Sequence, residues 1–276
     1  SARGYQHIRP LVSSMLGQLD LIAVQNELYA DRFRALGARE KSLKITGSMK
    51  FDGAITDRDN EKTRELATLA GIGVDDIVLL AGSTQQEEER MALATYEELS
   101  PHHPLLRLVI VPRHPERFDE VAGMLERSGQ SWQRRSDLIR GEDTAGSRIL
   151  LVDVVGELGA WWGSAHVALV GGSFGKREGQ NMIEPAAYGA AVSFGPRTKN
   201  FRDVVQLMLA ADAACVVHDQ QEFTAFVEGC LSNPEQAHQL GHRARQLVKK
   251  QLGATERTLE LVAPLVNTAD ETHISG

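Results

Sequence analysis

A glycine-rich segment at residues 171–185, GGSFGKREGQNMIEP, holds the residues best suited to chemistry in this chain. An apolar run at 166–170 precedes it and is typical of a buried parallel strand, and residues 182–188 are predicted to begin a helix. Unpaired backbone N–H groups in such a strand-to-helix loop point toward one spot, where the helix dipole also favours an anion. Glu184, in the first helical turn, could accept hydrogen bonds from two ribose hydroxyls. These features predict a nucleotide site, while a capping box of Asn181 and Glu184 is the purely structural alternative.

An arginine in a rigid turn follows a second predicted strand, LVIV. Pro112 and Pro115 fix the direction in which Arg113 leaves this strand. The guanidinium donates paired N–H groups and therefore suits a phosphate. The structural alternative is a surface arginine paired with Glu116. Arg117, further along, is predicted to be solvated.

Two further strand ends carry polar groups. Ser83 and Thr84 offer hydroxyls and helix-start amides to a phosphate or a sugar carboxylate, or they form a plain N-cap. Backbone groups at Gly156 and Glu157 could contact the edge of a base, or Glu157 simply favours a helix N-terminus. The acidic run at 87–89 is predicted to be a solvated helix face.

Alternating strands and helices position these segments. Strands are predicted at 77–81, 106–111, 149–152, 166–170, 191–194 and 214–217. Most of these segments are continuous apolar runs, which is typical of strands covered on both faces. Interleaved with helices, such strands form a doubly wound α/β domain with a parallel, Rossmann-like sheet. In sheets of this type the ligand crevice lies off the carboxyl ends of the strands, where the polar segments above are found.

The chain is predicted to contain two domains. Residues 1–48 read as helix, strand, helix and strand, which is the tail of an α/β domain without its beginning. Residues 49–276 form the second domain, which ends with closing helices. We predict that Thr56 or Asp57 caps its first helix and that residues 136–147 form a loop.

Composition excludes several classes of protein. The 276 residues carry a net charge of −7, so no overall basic field attracts nucleic acid or anionic lipid. Cys215 and Cys230 lack metal-ligand spacing and are predicted to be free thiols of a reducing compartment. No apolar run approaches the length of a membrane span. We predict a cytoplasmic protein with no cofactor. We also predict no metal, because the histidines show no ligand spacing either.

With these residues in view, the sequence resembles the 3-deoxy-D-manno-octulosonic acid (Kdo) transferases of lipopolysaccharide biosynthesis. The matching segments occur in that family's order across most of the chain. They are 46–52 (TGSMKFD), 82–84 with Glu88 and Glu89, 111–118 (VPRHPERF), 156–158 (GEL), 171–187, and 195–196 with Asn200 and Phe201.

The resemblance implies a two-lobed GT-B glycosyltransferase with CMP-Kdo as donor and a lipid A precursor as acceptor. It implies an inverting transfer, in which an acceptor hydroxyl activated by a carboxylate base attacks the anomeric carbon as CMP leaves. A single phosphate leaving group could be neutralised by an arginine and amide donors, without a metal. The resemblance makes Lys50 a candidate for stabilising the transition state. The candidate donor-binding residues are Ser83, Thr84, Pro112, Arg113, Val155, Gly156, Glu157, Gly172, Asn181, Met182, Ile183 and Glu184.

Three positions depart from the family's usual residues. Glu178 stands where a second glycine is usual, Gln85 replaces a histidine, and Glu87 replaces a glycine, which bears on loop geometry and donor affinity. Family members also carry a membrane-associated N-terminal region and an acceptor-side lobe with the catalytic base, at the cytoplasmic face of the inner membrane. We therefore expect this chain to hold the donor lobe and the tail of the other lobe. Acceptor and membrane contacts belong to the missing region, so we expect transfer by this chain alone to be impaired or absent.

Two other functions remain open. A different GT-B enzyme that uses a UDP-sugar, as a transferase or an epimerase, would have the same crevice. A non-catalytic module that binds a nucleotide sugar would keep the site without the transfer. Preference for UDP over CMP would favour the first, and transfer to a lipid A precursor by the chain alone would exclude the second.

Overall fold

The computed structural model describes residues 9–141 and 146–273. The chain divides into two compact units. The smaller unit combines residues up to Gly53 with those from Lys250 onward, and the larger unit is Ala54–Lys249.

Helices and strands alternate through most of the chain. The smaller unit begins with α1 (Arg9–Leu16), β1 (Ile22–Val24), α2 (Glu27–Leu36) and β2 (Leu43–Ile45). The elements that follow are α3 (Glu61–Leu69), β3 (Ile77–Thr84), α4 (Gln86–Leu99), β4 (Leu106–Pro112), α5 (Phe118–Ser128), β5 (Trp132–Arg134), α6 (Arg135–Ile139), β6 (Ile149–Leu151), α7 (Leu158–Trp161), β7 (Val167–Val170), α8 (Ile183–Tyr188), β8 (Ala191–Phe194), α9 (Arg202–Ala210), β9 (Cys215–Val216), α10 (Gln220–Ser232), α11 (Pro234–Gln251) and α12 (Ala254–His273).

The smaller unit has its own apolar core. Strands β1 and β2 pair in parallel, with Ile22 beside Leu43, and Leu16 of α1 and Ala30 of α2 pack against them. The side chain of Asn26 caps α2 by accepting a hydrogen bond from the Tyr29 amide. The predicted order of helix, strand, helix and strand is confirmed for this segment.

Asp52 joins the last helix to the smaller unit. Its carboxylate accepts hydrogen bonds from the backbone N–H groups of Gly253 (2.7 Å), Ala254 (3.2 Å) and Thr255 (2.5 Å), where α12 begins. A carboxylate at this position satisfies amides that have no partner inside the helix. These bonds explain why residues from Lys250 onward group with the smaller unit, whereas the predicted boundary assigns them to the second domain.

In the part of the chain that the structure describes, the larger unit contains a seven-stranded parallel sheet. The strand order is β5-β6-β4-β3-β7-β8-β9. The chain builds one side of the sheet from β3 through β6 and then returns to the other side of β3 with β7, so the sheet is doubly wound. The central strands have almost no exposed surface, as their continuous apolar sequences predict, and the fold class is therefore confirmed.

Three local predictions are wrong. Asn60 caps α3 by accepting a hydrogen bond from the Thr63 amide at 3.0 Å, because the helix begins at Glu61 and not beside Thr56 or Asp57. The edge strand β5 was not predicted, since its sequence WQR is not an apolar run. Helix α6 extends into the predicted loop at 136–147, of which residues 142–145 lie outside the described residues.

Candidate donor site

The crevice of the doubly wound sheet lies where β3 and β7 end side by side. Ser83 has a φ of 55°, a left-handed conformation that costs a residue with a side chain about 1 kcal/mol. The pairing of β3 with β4 shifts register here, between Gly82 and Thr84. Gly171 lies against this bulge, and a Cβ added to it would overlap the Ser83 carbonyl oxygen. Two predicted segments, 82–84 and the glycine-rich segment, therefore meet.

The backbone amides of the glycine-rich segment are already paired with a carboxylate. Glu88 is 1% exposed. Its Oε2 accepts hydrogen bonds from the amides of Gln85 (2.8 Å) and Gly172 (2.8 Å), and its Oε1 accepts from those of Ser173 (2.8 Å) and Phe174 (3.2 Å). Burial raises the pKa of Glu88, and the four amide bonds oppose that rise. Two predictions are therefore wrong: Glu88 is not on a solvated face, and the amide of Gly172 is not unpaired.

The same segment has an internal hydrogen bond and another to the residue after β8. The Gly179 amide donates to the Gly172 carbonyl oxygen at 2.7 Å. The Gly195 amide donates to the Ser173 hydroxyl oxygen at 2.8 Å. The chain between 172 and 179, hereafter the glycine loop, therefore has a fixed path from β7 toward α8.

Glu178 occupies a backbone conformation that favours glycine. Its φ is 60°, where a side chain meets the neighbouring carbonyl oxygen and glycine meets nothing. We expect Glu178→Gly to raise the free energy of unfolding by about 1 kcal/mol, measured by urea denaturation. Lys176→Gly is the matched control, because Lys176 has no positive φ to relieve. That change only raises the entropy of the unfolded chain, which lowers the free energy of unfolding. An equal gain in both variants would contradict the expectation.

Thr84 is anchored by a buried carboxylate. Its side chain has no exposed surface, and its hydroxyl donates to Glu89 at 3.1 Å. Arg117 donates to both oxygens of Glu89 and to Glu120 at 2.8 Å. The Thr84 hydroxyl therefore has a partner other than a ligand. The predictions that Glu89 and Arg117 are solvated are wrong, because the two groups pair in a largely buried site.

Arg113 is exposed at the edge of the crevice. Its backbone N–H donates to the Thr84 carbonyl oxygen at 3.2 Å, so it leaves β4 beside the end of β3. Pro112 before it is buried. Among the described residues, the Arg113 guanidinium has no hydrogen-bond or ion-pair partner. Its contact with a phosphate stays a prediction.

Glu157 is held by an arginine that the sequence analysis did not identify. Nε and Nη2 of Arg135 each donate to one Glu157 oxygen at 2.9 Å, and Trp161 Nε1 donates at 3.1 Å. The Arg135 and Glu157 side chains are 8% and 16% exposed. This pair fixes the segment in which Val155 and Gly156 are exposed. A ligand could therefore contact backbone atoms of this segment, while the Glu157 carboxylate is occupied.

Asn181 and Glu184 interact at the start of α8, but the capping box given as the structural alternative is not formed. Asn181 Nδ2 donates to Glu184 Oε1 at 2.8 Å, and Asn181 Oδ1 accepts from the Ile183 amide at 3.0 Å. Burial raises the pKa of Glu184, and the bond from Asn181 partly lowers it. Oε2 of Glu184 has no hydrogen-bond partner in the described chain and faces Gly159, on which a Cβ would lie 3.9 Å away. The side chains of Met182 and Ile183 are buried, which leaves only their backbone atoms for a ligand.

Exposed cations surround the glycine loop. The side chain of Asn200 donates to the Arg177 carbonyl oxygen at 2.8 Å, and the backbone N–H of Asn200 donates to the Glu178 carbonyl oxygen at 3.0 Å. Residues 176–178 therefore lie beside 197–200. Four exposed cations there have no side-chain hydrogen bond or ion pair within the described residues. We call this set the cationic rim: Lys176, Arg177, Arg197 and Lys199.

Lys50 lies in the smaller unit. It is exposed on a short 3-10 turn, Met49–Phe51, whose Phe51 is buried. Its part in catalysis stays a prediction.

Three further properties bear on the earlier predictions. Cys215 and Cys230 are both free thiols. No helix in the described ranges is long and apolar enough to cross a bilayer. The same residues form no group of three or more His, Cys, Asp or Glu that could hold a metal ion.

The parallel doubly wound sheet, with its crevice at the point where the winding reverses, gives the larger unit the fold of a GT-B nucleotide-binding domain. The family model described as 3-deoxy-D-manno-octulosonic-acid transferase (kdotransferase) matches residues 1–53. The 3-deoxy-D-manno-octulosonic acid transferase of Haemophilus influenzae is 32% identical over 96% of this chain and 61% of that protein. The protein of the same name from Bordetella pertussis is 34% identical over 89% of this chain and 56% of that protein.

One solved structure is similar to this chain over most of its length. It is the C-terminal CMP-Kdo binding domain of WaaA from Acinetobacter baumannii, 29% identical, with a TM-score of 0.62 over 68% of this chain and 96% of that one. The resemblance found in the sequence is therefore confirmed: the chain is similar to Kdo transferases over most of its length. It spans 61% and 56% of the lengths of the two relatives above.

Proposed function

We propose that this chain forms the donor-binding part of a Kdo transferase of lipopolysaccharide biosynthesis. Kdo would pass from CMP-Kdo to a lipid A precursor, with inversion at the anomeric carbon. The observation that carries this proposal is the similarity to the CMP-Kdo binding domain of WaaA, 96% of which this chain covers. The acceptor, the catalytic base and the contact with the cytoplasmic face of the membrane are assigned to a lobe outside this chain.

Each part of CMP has a suitable group at the crevice. The unpaired Oε2 of Glu184 can accept hydrogen bonds from ribose hydroxyls. The exposed backbone at Val155 and Gly156 can contact the edge of cytosine. The Arg113 guanidinium can donate two hydrogen bonds to the phosphate. The cationic rim adds positive charge for an anionic donor, although the whole chain is acidic.

The transfer exchanges one bond at the anomeric carbon for another. The acceptor oxygen forms its bond as the bond to the CMP phosphate oxygen breaks, and the bonding electrons leave with CMP. The acceptor proton passes to the carboxylate base of the other lobe. Negative charge grows on the phosphate, so Arg113 would bind the transition state more tightly than the donor, and Lys50 is proposed to add a second positive charge.

Calorimetric titration of the chain with CMP, UMP and UDP tests this function. We expect CMP to bind most tightly, and Arg113→Ala to weaken it about tenfold, because a hydrogen bond to a charged group contributes about 1.5 kcal/mol. Arg127→Ala, at an exposed arginine of α5, is the matched control and should leave CMP binding unchanged. Preference for UDP would instead support a GT-B enzyme of the UDP-sugar type. Absence of CMP binding would overturn the proposal.

A further inference from the structure

The glycine loop is an anion site that the chain fills with its own carboxylate. We propose that Glu88 is a positioning residue for donor binding: it replaces an external anion at the loop amides and thereby fixes the segment that leads to Glu184. This inference rests on the proposed function for its effect on CMP. Its effect on the loop can be measured independently of any ligand.

Three amides at the start of the glycine loop, at 172–174, are paired with Glu88. Gly172, Ser173 and Phe174 are consecutive, and each donates its N–H to one of the two carboxylate oxygens. Glu88 and Ser173 are buried, so water cannot take over these bonds without opening the site. Without the carboxylate, consecutive N–H groups would point at one unfilled spot. Each such unmet donor costs free energy, which favours other loop conformations.

The position of the loop amides sets the position of the segment that leads to Glu184. Gly172 is bonded to Gly179 across the loop, and Gly179 precedes Asn181 by two residues. Asn181 in turn holds Glu184. A displacement at 172–174 is therefore passed to the Glu184 carboxylate, although Glu88 itself is buried beneath the loop and contacts no donor atom.

Neighbouring glutamates of α4 provide matched controls. Glu87 shares the first helical turn but is exposed. Glu89 is as buried as Glu88, yet it pairs with Arg117 and Thr84 and makes no bond to the glycine loop. Glu87→Ala therefore shows the effect of losing a first-turn charge, and Glu89→Ala that of losing a buried carboxylate. Only Glu88→Ala also removes the bonds to the loop amides.

The experiment combines Glu88→Ala with formate, a carboxylate small enough for the space that the deleted side chain leaves. We expect Glu88→Ala to raise the Kd for CMP, and the hydrogen-exchange rates of the amides at 172–174, on the order of tenfold to a hundredfold. Added formate should restore both, whereas chloride at the same ionic strength should not. Glu87→Ala should behave as the wild type. Formate should change neither quantity in Glu89→Ala.

A second variant guards against a general loss of structure. Glu88→Gln keeps the side-chain shape but turns an NH₂ group toward loop amides, so the loss should appear and formate should not reverse it. Wild-type exchange rates in Glu88→Ala, or no response to formate in a variant whose circular dichroism is native, would overturn the inference. Should the wild type not bind CMP, the proposed function fails, while the exchange rates and their response to formate still decide the role of Glu88.

Discussion

Replacing Arg135 with alanine is expected to lower the free energy of unfolding by about 3–5 kcal/mol, because it leaves the Glu157 carboxylate largely buried without its partner. Both oxygens of Glu157 lose a charge-assisted bond at once. Arg135→Lys should recover only part of the loss, since an ammonium cannot donate in the same bidentate geometry. The segment with Val155 and Gly156 would also lose its anchor, so CMP affinity should fall with stability.

Urea denaturation of the single and double variants measures this effect. Arg127→Ala is the matched control: Arg127 is exposed on α5 and has no ion pair among the described residues. We expect that change to stay within about 1 kcal/mol. The double variant Arg135→Met/Glu157→Leu should be more stable than Arg135→Ala, because no charge is left unpaired. A loss below 1 kcal/mol in Arg135→Ala would show that solvent compensates Glu157.

Removal of the Glu184 carboxylate is expected to abolish recognition of the ribose. The wild type should bind CMP about 10- to 100-fold more tightly than 2′,3′-dideoxy-CMP, because hydrogen bonds to a charged acceptor contribute about 1.5–3 kcal/mol. Glu184→Ala should bind both nucleotides equally, at the affinity of the dideoxy compound. Glu184→Gln keeps an acceptor without the charge and should lie between the two.

Competition calorimetry with the two nucleotides gives the ratio directly. Thermal unfolding checks that Glu184→Ala is folded. We expect it to be folded, because Glu184 is only half-buried and burial of its carboxylate is unfavourable, as its raised pKa indicates. Glu178→Ala, in the glycine loop but outside the proposed contacts, should keep the wild-type preference for ribose. A Glu184→Ala variant that still prefers CMP over the dideoxy compound would assign ribose recognition to another residue.

The sheet could be predicted because its signal is local. Strands β3, β4, β7 and β8 are covered on both faces, so each is rich in apolar residues without a helix period, with Arg107 and Ser193 as exceptions in β4 and β8. Strand β5 lies at the edge, pairs only with β6, and gives no such run. The cap of α3 was misplaced for a related reason. Thr56, Asp57 and Asn60 are all good caps, and Asn60 is the one whose side chain accepts from an amide of the first turn.

Much of the candidate site depends on contacts that lie far apart in the sequence. Among the glutamates at 87–89, Glu88 lies at the capping-box position relative to Gln85, but nothing local indicates its bond to the amide of Gly172, 84 residues away. Arg135 and Glu157 are separated by 22 residues that include a loop, and no period or motif links them. The contact at the start of α8 was predictable because Asn181 and Glu184 are three residues apart, although they bond through their side chains and not as a capping box.

The cationic rim also bears on how quickly a ligand arrives. At long range the chain, with its net charge of −7, repels an anion. Within a screening length of about 8 Å at physiological salt, the exposed Lys176, Arg177, Arg197 and Lys199 add positive charge beside the glycine loop. We therefore expect the proposed anionic donor to be steered to the glycine loop, and added salt to slow its association more than it changes its dissociation.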